Sequence, residues 1–403
     1  MSDELAVNLG GLKLKNPIIV ASSELTNTVS KIKEAERWGA SAVSTKLCFL
    51  QVPFYARPYH IVERGSALYS PSGLRLTVGE AQELIRQAKR ETSEVKIIAN
   101  MMGPGDNLEG WARLGQMLEE AGADMLELNM SCPNVGLMAH SLGVPAAPEL
   151  GAVLGQNPVL AGLVTKAVVE AVSIPVMPKM TPEGNTSAVA AECVKGGAAA
   201  ISAINCPSSL PGVDIYNGGR PKYPTVANQA FAGLCGSWIR PLAYRHVAQM
   251  AMKMPNLHIA GGGGLTNWRQ SIEMIMYGAT ALTYCTVLYY RGFKALAEFE
   301  AGMRKFVREQ GLKNILDVRG AALKYIVTPD RVEYIPSLPE IDTARCTGCG
   351  FCVRPAHCEV LELREEKAAV VHPEHCTACS VCYWLCPHDA IKMVPTGSAA
   401  ATI

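Results

Sequence analysis

Eight cysteines with regular spacing lie close together near the end of this 403-residue chain. They form two triads, each with two residues between successive cysteines, and one further cysteine follows each triad. Thiolates spaced this way on a tight turn can bind different irons of one cubane cluster, and the fourth ligand comes from the other run. The spacing therefore predicts two [4Fe–4S] clusters. The first would bind Cys346, Cys349, Cys352 and Cys386, and the second Cys376, Cys379, Cys382 and Cys358.

The first run departs from this pattern at its last cysteine. Five residues separate Cys352 from Cys358 and no proline follows, whereas three residues separate Cys382 from Cys386, which precedes Pro387. A pair of zinc knuckles is the alternative, because zinc sites also use C-x2-C pairs. Two triads with two remote cysteines fit cubanes better than the two pairs that a zinc ion needs. Since so small a domain has little core, we expect the clusters to supply much of its folding energy.

A second group of polar residues follows short apolar runs between residues 17 and 310. The runs alternate with amphipathic stretches such as NLEGWARLGQMLEEAGA, and they read NPIIVASS, SAVSTKLC, VKIIANMMG, MLELNMSC, PVMPKMT, AISAINC, LHIAGGGGL and ALTYCTVL. Eight such units predict an α/β fold, a (β/α)8 TIM barrel. A doubly wound sheet is the alternative, but it would need a G-x-G-x-x-G turn after its first strand, and NPIIVASSELTN has none.

In such a barrel, chemistry collects at the carboxyl ends of the strands. Two lysines with several amide, hydroxyl and thiol side chains predict a mouth that binds a polar, flat, partly anionic ligand. Glycines after the seventh run lead into a helix, so their backbone N–H groups form a phosphate cradle together with the end of the eighth run. The strand-end residues are Ala21, Ser22, Lys46, Asn100, Asn107, Asn129, Ser131, Asn134, Lys179, Asn205, Cys206, Gly263, Gly264, Cys285 and Thr286.

Composition restricts the class of protein. The formal net charge of +1 predicts neither a nucleic-acid partner nor a membrane surface, and no apolar run is long enough to span a bilayer. The N-terminal stretch lacks a secretory signal, so we expect a cytoplasmic protein whose fourteen cysteines serve metal binding rather than disulfides. The predicted domains are a barrel over 1–329, a linker over 330–340, a small α+β domain over 341–395 and a tail over 396–403.

The sequence resembles known proteins at several motifs. Asn129-Met-Ser-Cys-Pro-Asn134 resembles the N-L-S-C-P-N motif of the dihydroorotate dehydrogenase family, and the cysteine-rich tail resembles bacterial two-cluster ferredoxins. Within that family, a barrel followed by such a tail is similar to the dihydropyrimidine dehydrogenases, as are the stretches FAGLCGSWIRPLAYR and GQNPVLAGLV. The resemblance covers nearly the whole chain. It implies a TIM barrel followed by a two-cluster ferredoxin-like domain.

The resemblance implies FMN at the barrel mouth. Ala21 and Ser22 would line the isoalloxazine ring, Lys46 would hydrogen-bond it, and Lys179 would stabilise its reduced form and take part in catalysis. The other implied cofactor-binding residues are Asn100, Asn129 and Asn205 at the strand ends and Gly236, Gly263, Gly264, Cys285 and Thr286 at the phosphate. The implied substrate-binding residues are Asn107, Asn129, Ser131, Asn134, Asn205 and Cys206.

One departure concerns the proton donor. In the dihydropyrimidine enzymes a loop cysteine lies just before a G-Q-x-P stretch and protonates the substrate carbon, whereas here Leu154 precedes Gly155-Gln-Asn-Pro158. Three interpretations stay open. His140 or Ser141 supplies the proton, since histidine is suited to proton transfer near neutral pH and serine does this work in another branch of the family. The substrate is not a pyrimidine, and the proton comes from water or another group. Alternatively, the chain only relays electrons.

The resemblance therefore predicts a flavin and iron–sulfur oxidoreductase that reduces or forms a C=C bond conjugated to a carbonyl group. The leading substrate class is a pyrimidine such as uracil or thymine, and a different conjugated or cyclic compound is the alternative. No NAD-binding unit is visible, so electrons would pass through the clusters. We expect an NAD(P)H-dependent flavoprotein reductase subunit or a ferredoxin as the partner, in a homo- or hetero-oligomer.

Overall fold

The first compact unit of the chain is a closed barrel. The computed structural model describes residues 4–50, 61–63, 67–70, 75–133, 150–223 and 225–396, and contacts divide the chain into two units after Ile326. In the first unit, eight parallel strands close on themselves because β2 pairs with both β1 and β3. The strands are β1 (Ile18–Val20), β2 (Ala42–Ser44), β3 (Lys96–Met102), β4 (Met125–Asn129), β5 (Val176–Lys179), β6 (Ile201–Ala203), β7 (Ile259–Gly262) and β8 (Ala281–Tyr284). The predicted TIM barrel is confirmed, and each strand lies in one of the eight apolar runs.

Helices surround the barrel strands and cover them with one apolar face. In the second helix, Ala81, Leu84, Ile85 and Ala88 are the buried residues, at the spacing of one helix face, and Thr77 caps its first turn. The strands are apolar on both faces because they contact the barrel interior and the helices. The helices that cover the barrel are α1 (Val29–Arg37), α2 (Val78–Glu91), α3 (Leu108–Glu120), α4 (Pro158–Ala171), α5 (Thr186–Lys195), α6 (Arg240–Lys253), α7 (Trp268–Met276) and α8 (Ala295–Glu309), and a further short helix, Thr286–Arg291, directly follows β8.

Two loops at the carboxyl ends of the strands pair with each other. The loop after β2 contributes Ile61–Glu63 and Ala67–Ser70, and the loop after β6 contributes Ser208–Ser209 and Ala232–Gly236. These four segments form an antiparallel sheet in which Ala232–Gly236 pairs with Ala67–Ser70 on one side and Ser208–Ser209 on the other. The sequence did not predict this sheet, because its strands are short and far apart along the chain. It brings Gly236 to the mouth of the barrel.

The second unit is a small α+β domain. Its antiparallel pairs are β9 (Ser337–Ile341) with β12 (Ile391–Pro395) and β10 (Leu361–Arg364) with β11 (Lys367–Val370), and its one α-helix among the described residues is α9 (Val381–Leu385). Its buried core is small and consists of Cys352, Val360, Leu361, Ala368 and Ile391. In the described part of the chain, no helix of either unit has both the length and the apolar character that crossing a membrane requires.

Candidate functional site

A cavity of about 260 Å³ opens at the carboxyl ends of the barrel strands. The barrel brings every strand-end element to this mouth, because parallel strands all end on the same side. Most of the residues that the sequence predicts for the site line this cavity. They are Ala21, Ser22, Lys46, Asn129, Lys179, Asn205, Cys206, Gly236, Gly263, Gly264, Cys285 and Thr286.

A buried carboxylate organises the floor of the cavity. Glu127 is buried in β4, and its Oε2 accepts hydrogen bonds from Ser44 Oγ at 2.5 Å and from Asn100 Nδ2. Its Oε1 lies 3.8 Å from the ammonium nitrogen of Lys179, the last residue of β5. Glu127 therefore holds the ammonium group of Lys179 at the cavity and the side-chain amide of Asn100 behind the cavity wall. The sequence did not identify this residue, although a lone carboxylate within the apolar run MLELNMSC is unusual for a strand buried on both faces.

A chain of side-chain hydrogen bonds connects the asparagines of the mouth. Asn129 Nδ2 donates to Asn100 Oδ1 at 3.2 Å, Ser131 Oγ donates to Asn129 Oδ1 at 3.0 Å, and Asn205 Nδ2 donates to Ser131 Oγ at 3.0 Å. Each amide nitrogen has two hydrogens and uses one of them in these bonds. The second N–H of Asn129 and of Asn205 can therefore be donated to a ligand in the cavity. Such donors suit the carbonyl oxygens of a substrate ring.

A second charged pair lies at the other side of the mouth. Lys46 Nζ donates to Glu24 Oε1 at 2.9 Å, and Tyr289 Oη donates to Glu24 Oε2 at 2.9 Å. Burial opposes ionisation of Glu24, but the charge and hydrogen bond of Lys46 outweigh it, so the pKa of Glu24 lies below its ordinary value. Burial, with the nearby Cys285 and Glu24, raises the pKa of Tyr289. Neither Glu24 nor Tyr289 was predicted, since neither follows a strand directly.

Glycines form the part of the mouth that suits a phosphate. Gly236 and Gly264 have φ angles of 90° and 75°, a region that favours glycine. A Cβ atom on Gly264 would lie 2.6 Å from the carbonyl oxygen of Gly236, so a side chain cannot fit between the two segments. Because these glycines have no side chains, the cavity that they line together with Thr286 has room for an anionic group. The glycines therefore fit the phosphate of a cofactor such as FMN, and Lys179 adds a cation at the same cavity.

The structure places several predicted site residues away from the cavity wall. Asn100 and Ser131 are completely buried. Asn100 accepts a hydrogen bond from Asn129, and Ser131 accepts one from Asn205. Asn107 is exposed, and its side chain caps α3 by accepting a hydrogen bond from the backbone of Gly110 at 2.8 Å. Three other predicted residues lie outside the described residues, namely Asn134, His140 and Ser141.

Leu154, which stands where the similar enzymes have their loop cysteine, is fully buried at the start of the 3-10 turn Leu154–Gln156. It belongs to the hydrophobic core of the barrel unit rather than to the cavity wall. Leu154 is therefore structural here and cannot supply a proton, so any proton comes from another side chain or from water.

The second unit has two small cavities lined by cysteines. Four line the first, namely Cys346, Cys349, Cys352 and Cys386; Cys358, Cys376, Cys379 and Cys382 line the second, which Cys352 also reaches. The backbone N–H of Ala368 donates to Cys346 Sγ at 3.4 Å, and that of Ala390 donates to Cys386 Sγ at 3.2 Å. The hydrogen bond from Ala368 lowers the pKa of Cys346. Among the described residues, no three Cys, His, Asp or Glu side chains meet closely enough to hold a single metal ion.

Comparison with known proteins gives two family matches. The family described as dihydroorotate dehydrogenase matches residues 4–307, and the 4Fe-4S binding domain matches residues 369–392. The chain is 27% identical over 364 residues to the NAD-dependent dihydropyrimidine dehydrogenase subunit PreA of Escherichia coli (strain K12), covering 87% of this chain and 85% of that protein. It is 33% identical over 322 residues to the catalytic subunit of dihydroorotate dehydrogenase B (NAD(+)) of Pyrococcus abyssi, covering 79% and 99%. The corresponding subunit of Methanosarcina mazei is 32% identical over 325 residues, covering 79% and 95%.

Proposed function

The chain belongs to the dihydroorotate dehydrogenase family, and from that membership we propose that it reduces, or forms, a C=C bond conjugated to a carbonyl group with FMN as its cofactor. The observation that carries this proposal is the hydrogen-bonded row of Asn129, Ser131 and Asn205 beside Lys179 at one cavity. Amide donors bind the carbonyl edge of a substrate ring, and a cation stabilises negative charge that develops during reduction.

FMN fits the residues present at this mouth. Gly236, Gly263 and Gly264 would hold its phosphate with the backbone at Cys285 and Thr286, and the ring would lie against Ala21 and Ser22. When bound, FMN supplies hydride transfer at N5. Lys179, held by Glu127, would lie at the N1–O2 edge of the ring, and Lys46 would bind it from the side of Glu24. These roles are part of the proposal.

The leading substrate class is a pyrimidine such as uracil or thymine, converted to its 5,6-dihydro form. The relatives named for dihydropyrimidine and dihydroorotate both favour a pyrimidine-type ring. Asn129 and Asn205 would donate to its carbonyl oxygens. His140 or Ser141 would supply the proton, because a histidine is suited to proton transfer near neutral pH and a serine does this work in another branch of the family.

A second candidate function is the reduction of a non-pyrimidine conjugated or cyclic compound. The observation that favours it is Leu154, which is buried in the core at the position where the similar enzymes have their acid. Cys206 favours it too, because the dihydropyrimidine enzymes have threonine next to the substrate asparagine. A substrate with a different proton requirement would explain both changes.

We propose that two [4Fe–4S] clusters occupy the two cysteine-lined cavities, with the ligand sets named above. Four thiols line the first cavity and five line the second, since Cys352 reaches both, and their spread favours a cubane over a single zinc ion. Electrons would enter or leave through these clusters. The relatives named as subunits support a partner, either an NAD(P)H-dependent flavoprotein reductase or a ferredoxin. Free thiols and cluster ligands of this kind persist in a reducing compartment, which supports a cytoplasmic location.

The test mixes anaerobically reduced, FMN- and cluster-loaded protein with uracil, thymine, orotate and a non-pyrimidine cyclic enone, and follows flavin absorbance. Reoxidation of the flavin by uracil and thymine alone supports the pyrimidine proposal. Reoxidation by the enone alone supports a non-pyrimidine substrate. If no compound reoxidises the flavin while an artificial one-electron acceptor does, the chain is an electron-transfer subunit without a substrate of its own, and the enzymatic proposal is wrong.

A further inference from the structure

Two cysteines face each other in the wall of the barrel cavity, on segments of the loop after β6. Ser208 pairs with Gly233 in the antiparallel register, and the N–H of Leu234 donates to the carbonyl of Pro207 at 2.8 Å. This register sets Cys206 directly opposite Cys235, and their Sγ atoms lie 2.6 Å apart. Both side chains are half-buried and line the cavity.

The cross-strand position suits a covalent bond between the two sulfurs. Because Pro207 and Leu234 form the hydrogen-bonded pair, Cys206 and Cys235 occupy the adjacent non-hydrogen-bonded pair, where Cα atoms approach to about 4.5 Å. Disulfides span Cα separations of about 4.4–6.8 Å. The backbone therefore needs no rearrangement to accept a disulfide here.

The two thiols differ in character. The hydrogen bond from Cys235 lowers the pKa of Cys206, burial opposes this, and the positive charge of Lys179 adds to the lowering. The same hydrogen bond and burial raise the pKa of Cys235. Cys206 is therefore the thiol that ionises first and attacks, and Cys235 is its hydrogen-bond donor.

We propose that Cys206 and Cys235 form a thiol–disulfide exchange site that takes low-molecular-weight disulfides, RSSR, as its reactant. The Cys206 thiolate attacks one sulfur of RSSR, the S–S bond of RSSR breaks, and one RS⁻ leaves with its electron pair. Cys235 then loses its proton and attacks the Cys206 sulfur, which releases the second RS⁻. The two thiol protons end on the two leaving groups. The protein dithiol is oxidised to a disulfide, RSSR is reduced to two RSH, and excess dithiol reverses the reaction.

Peptide mapping tests the proposal directly. Trypsin, which does not cleave before proline, gives the peptides Gly196–Lys222 and Tyr223–Arg245, each with a single cysteine. Holoprotein treated anaerobically with hydroxyethyl disulfide should yield these two peptides linked, lighter than their sum by two hydrogens, and dithiothreitol should separate them. Cys193, which is buried and whose pKa burial raises to about 12, is the internal control and should stay a thiol. Free thiols at both positions, a link to Cys285, or a link that resists dithiothreitol would overturn the proposal.

Single variants test the order of the two steps. In Cys235→Ser, Cys206 should retain the mixed disulfide with hydroxyethanethiol, since nothing resolves it. In Cys206→Ser, modification of Cys235 should be lost on the time scale on which Cys206 reacts in Cys235→Ser, since Cys235 stays buried and the thiol whose ionisation Lys179 favours is gone. Flavin and cluster absorbance show whether each variant is folded. Equal modification rates in the two variants would contradict the assigned roles. Peptide mapping of the unsubstituted holoprotein tests disulfide formation even if a variant does not fold.

Discussion

The ammonium nitrogen of Lys179 lies 3.8 Å from Oε1 of Glu127, and the side chains retain only 9% and 2% of their exposure. The two residues sit on neighbouring strands whose final residues, Asn129 and Lys179, are register partners. A buried charge needs a partner of opposite charge. Among the described residues, Glu127 is the acidic residue that pairs with Lys179. Glu127 therefore positions a cation at the cavity without lining the cavity itself.

Replacing Glu127 by Gln should destabilise the barrel unit. Removing one member of a buried ion pair leaves the other uncompensated, so we expect the free energy of unfolding to fall by about 3 kcal/mol or more. Urea denaturation followed by flavin fluorescence measures the change. Glu120→Gln, at an exposed position at the end of α3, is the control and should change stability little. A loss in Glu127→Gln no larger than that of the control would show that the pair contributes nothing.

Replacing Lys179 by Gln should slow substrate turnover by about 10²–10³-fold, because a cation aimed at developing negative charge is lost. The reduction potential of the flavin should fall as well, since the reduced form loses its stabilising charge. Stopped-flow reduction and a potentiometric titration measure the two effects. Lys195→Gln, exposed at the end of α5, is the control. An unchanged potential in Lys179→Gln would remove this residue from the flavin edge.

Asparagines at two positions should behave differently when changed to Ala. Asn205→Ala removes a donor at the cavity and should raise the KM for substrate about tenfold, at a cost near 1.4 kcal/mol. Asn107→Ala removes the cap of α3 and should lower stability by about 1 kcal/mol while KM stays the same. Steady-state kinetics and thermal unfolding of both variants provide the comparison. If Asn107→Ala raises KM instead, the exposed cap also reaches the substrate.

The barrel could be predicted because its signal is local. Each strand is a short apolar run, each helix has its own periodic face, and parallel strands must end at one mouth, so Lys46, Asn129 and Lys179 could be expected to converge. The spacing of the cysteine triads likewise contains the ligand pattern within the sequence. Residues that follow a strand directly are therefore the ones that sequence reasoning identifies.

The remaining site residues depend on contacts that no local pattern shows. Glu127 points to Lys179 from inside the barrel, and Cys235 reaches Cys206 only because two segments of the loop after β6, far apart along the chain, pair with each other. Asn107 looked like a strand-end residue, but its side chain serves the helix that follows. Because a polar residue after a strand can either cap the next helix or face the cavity, the sequence alone does not separate the two roles.

Acid should destabilise the barrel through His246 in α6. Burial, with Arg245 nearby, lowers the pKa of this histidine to about 4 from 6.5. Its Nε2 lies 2.8 Å from Arg245 Nη2, a contact that suits the neutral ring. Between these two pKa values the unfolded chain binds more protons, so the contribution is complete above about pH 6.5 and is lost as pH falls toward about 4. The difference amounts to about 3 kcal/mol.

Denaturation of the barrel at about pH 7 and about pH 5 measures this dependence, because the two conditions bracket most of the change. His246→Leu removes the titrating ring and should flatten the stability of the barrel over that interval. The variant keeps an apolar side chain at a position that is 2% exposed, so it retains packing. If the variant loses as much stability between the two pH values as the unsubstituted protein, other groups govern the acid sensitivity.

The iron content of the second unit distinguishes two iron–sulfur clusters from zinc sites. Cys386 lines the cavity of the first triad although it follows the second, so Cys386→Ser should lower iron from about eight to about four per chain and leave the other cluster in place. Colorimetric iron and sulfide assays measure this, with Cys193→Ala in the barrel as the control. Since the core of this unit has few buried residues, cluster loss should also make residues 327–396 sensitive to protease while the barrel stays resistant. Full iron content in Cys386→Ser, or zinc in place of iron, would show that the crossed ligand assignment is wrong.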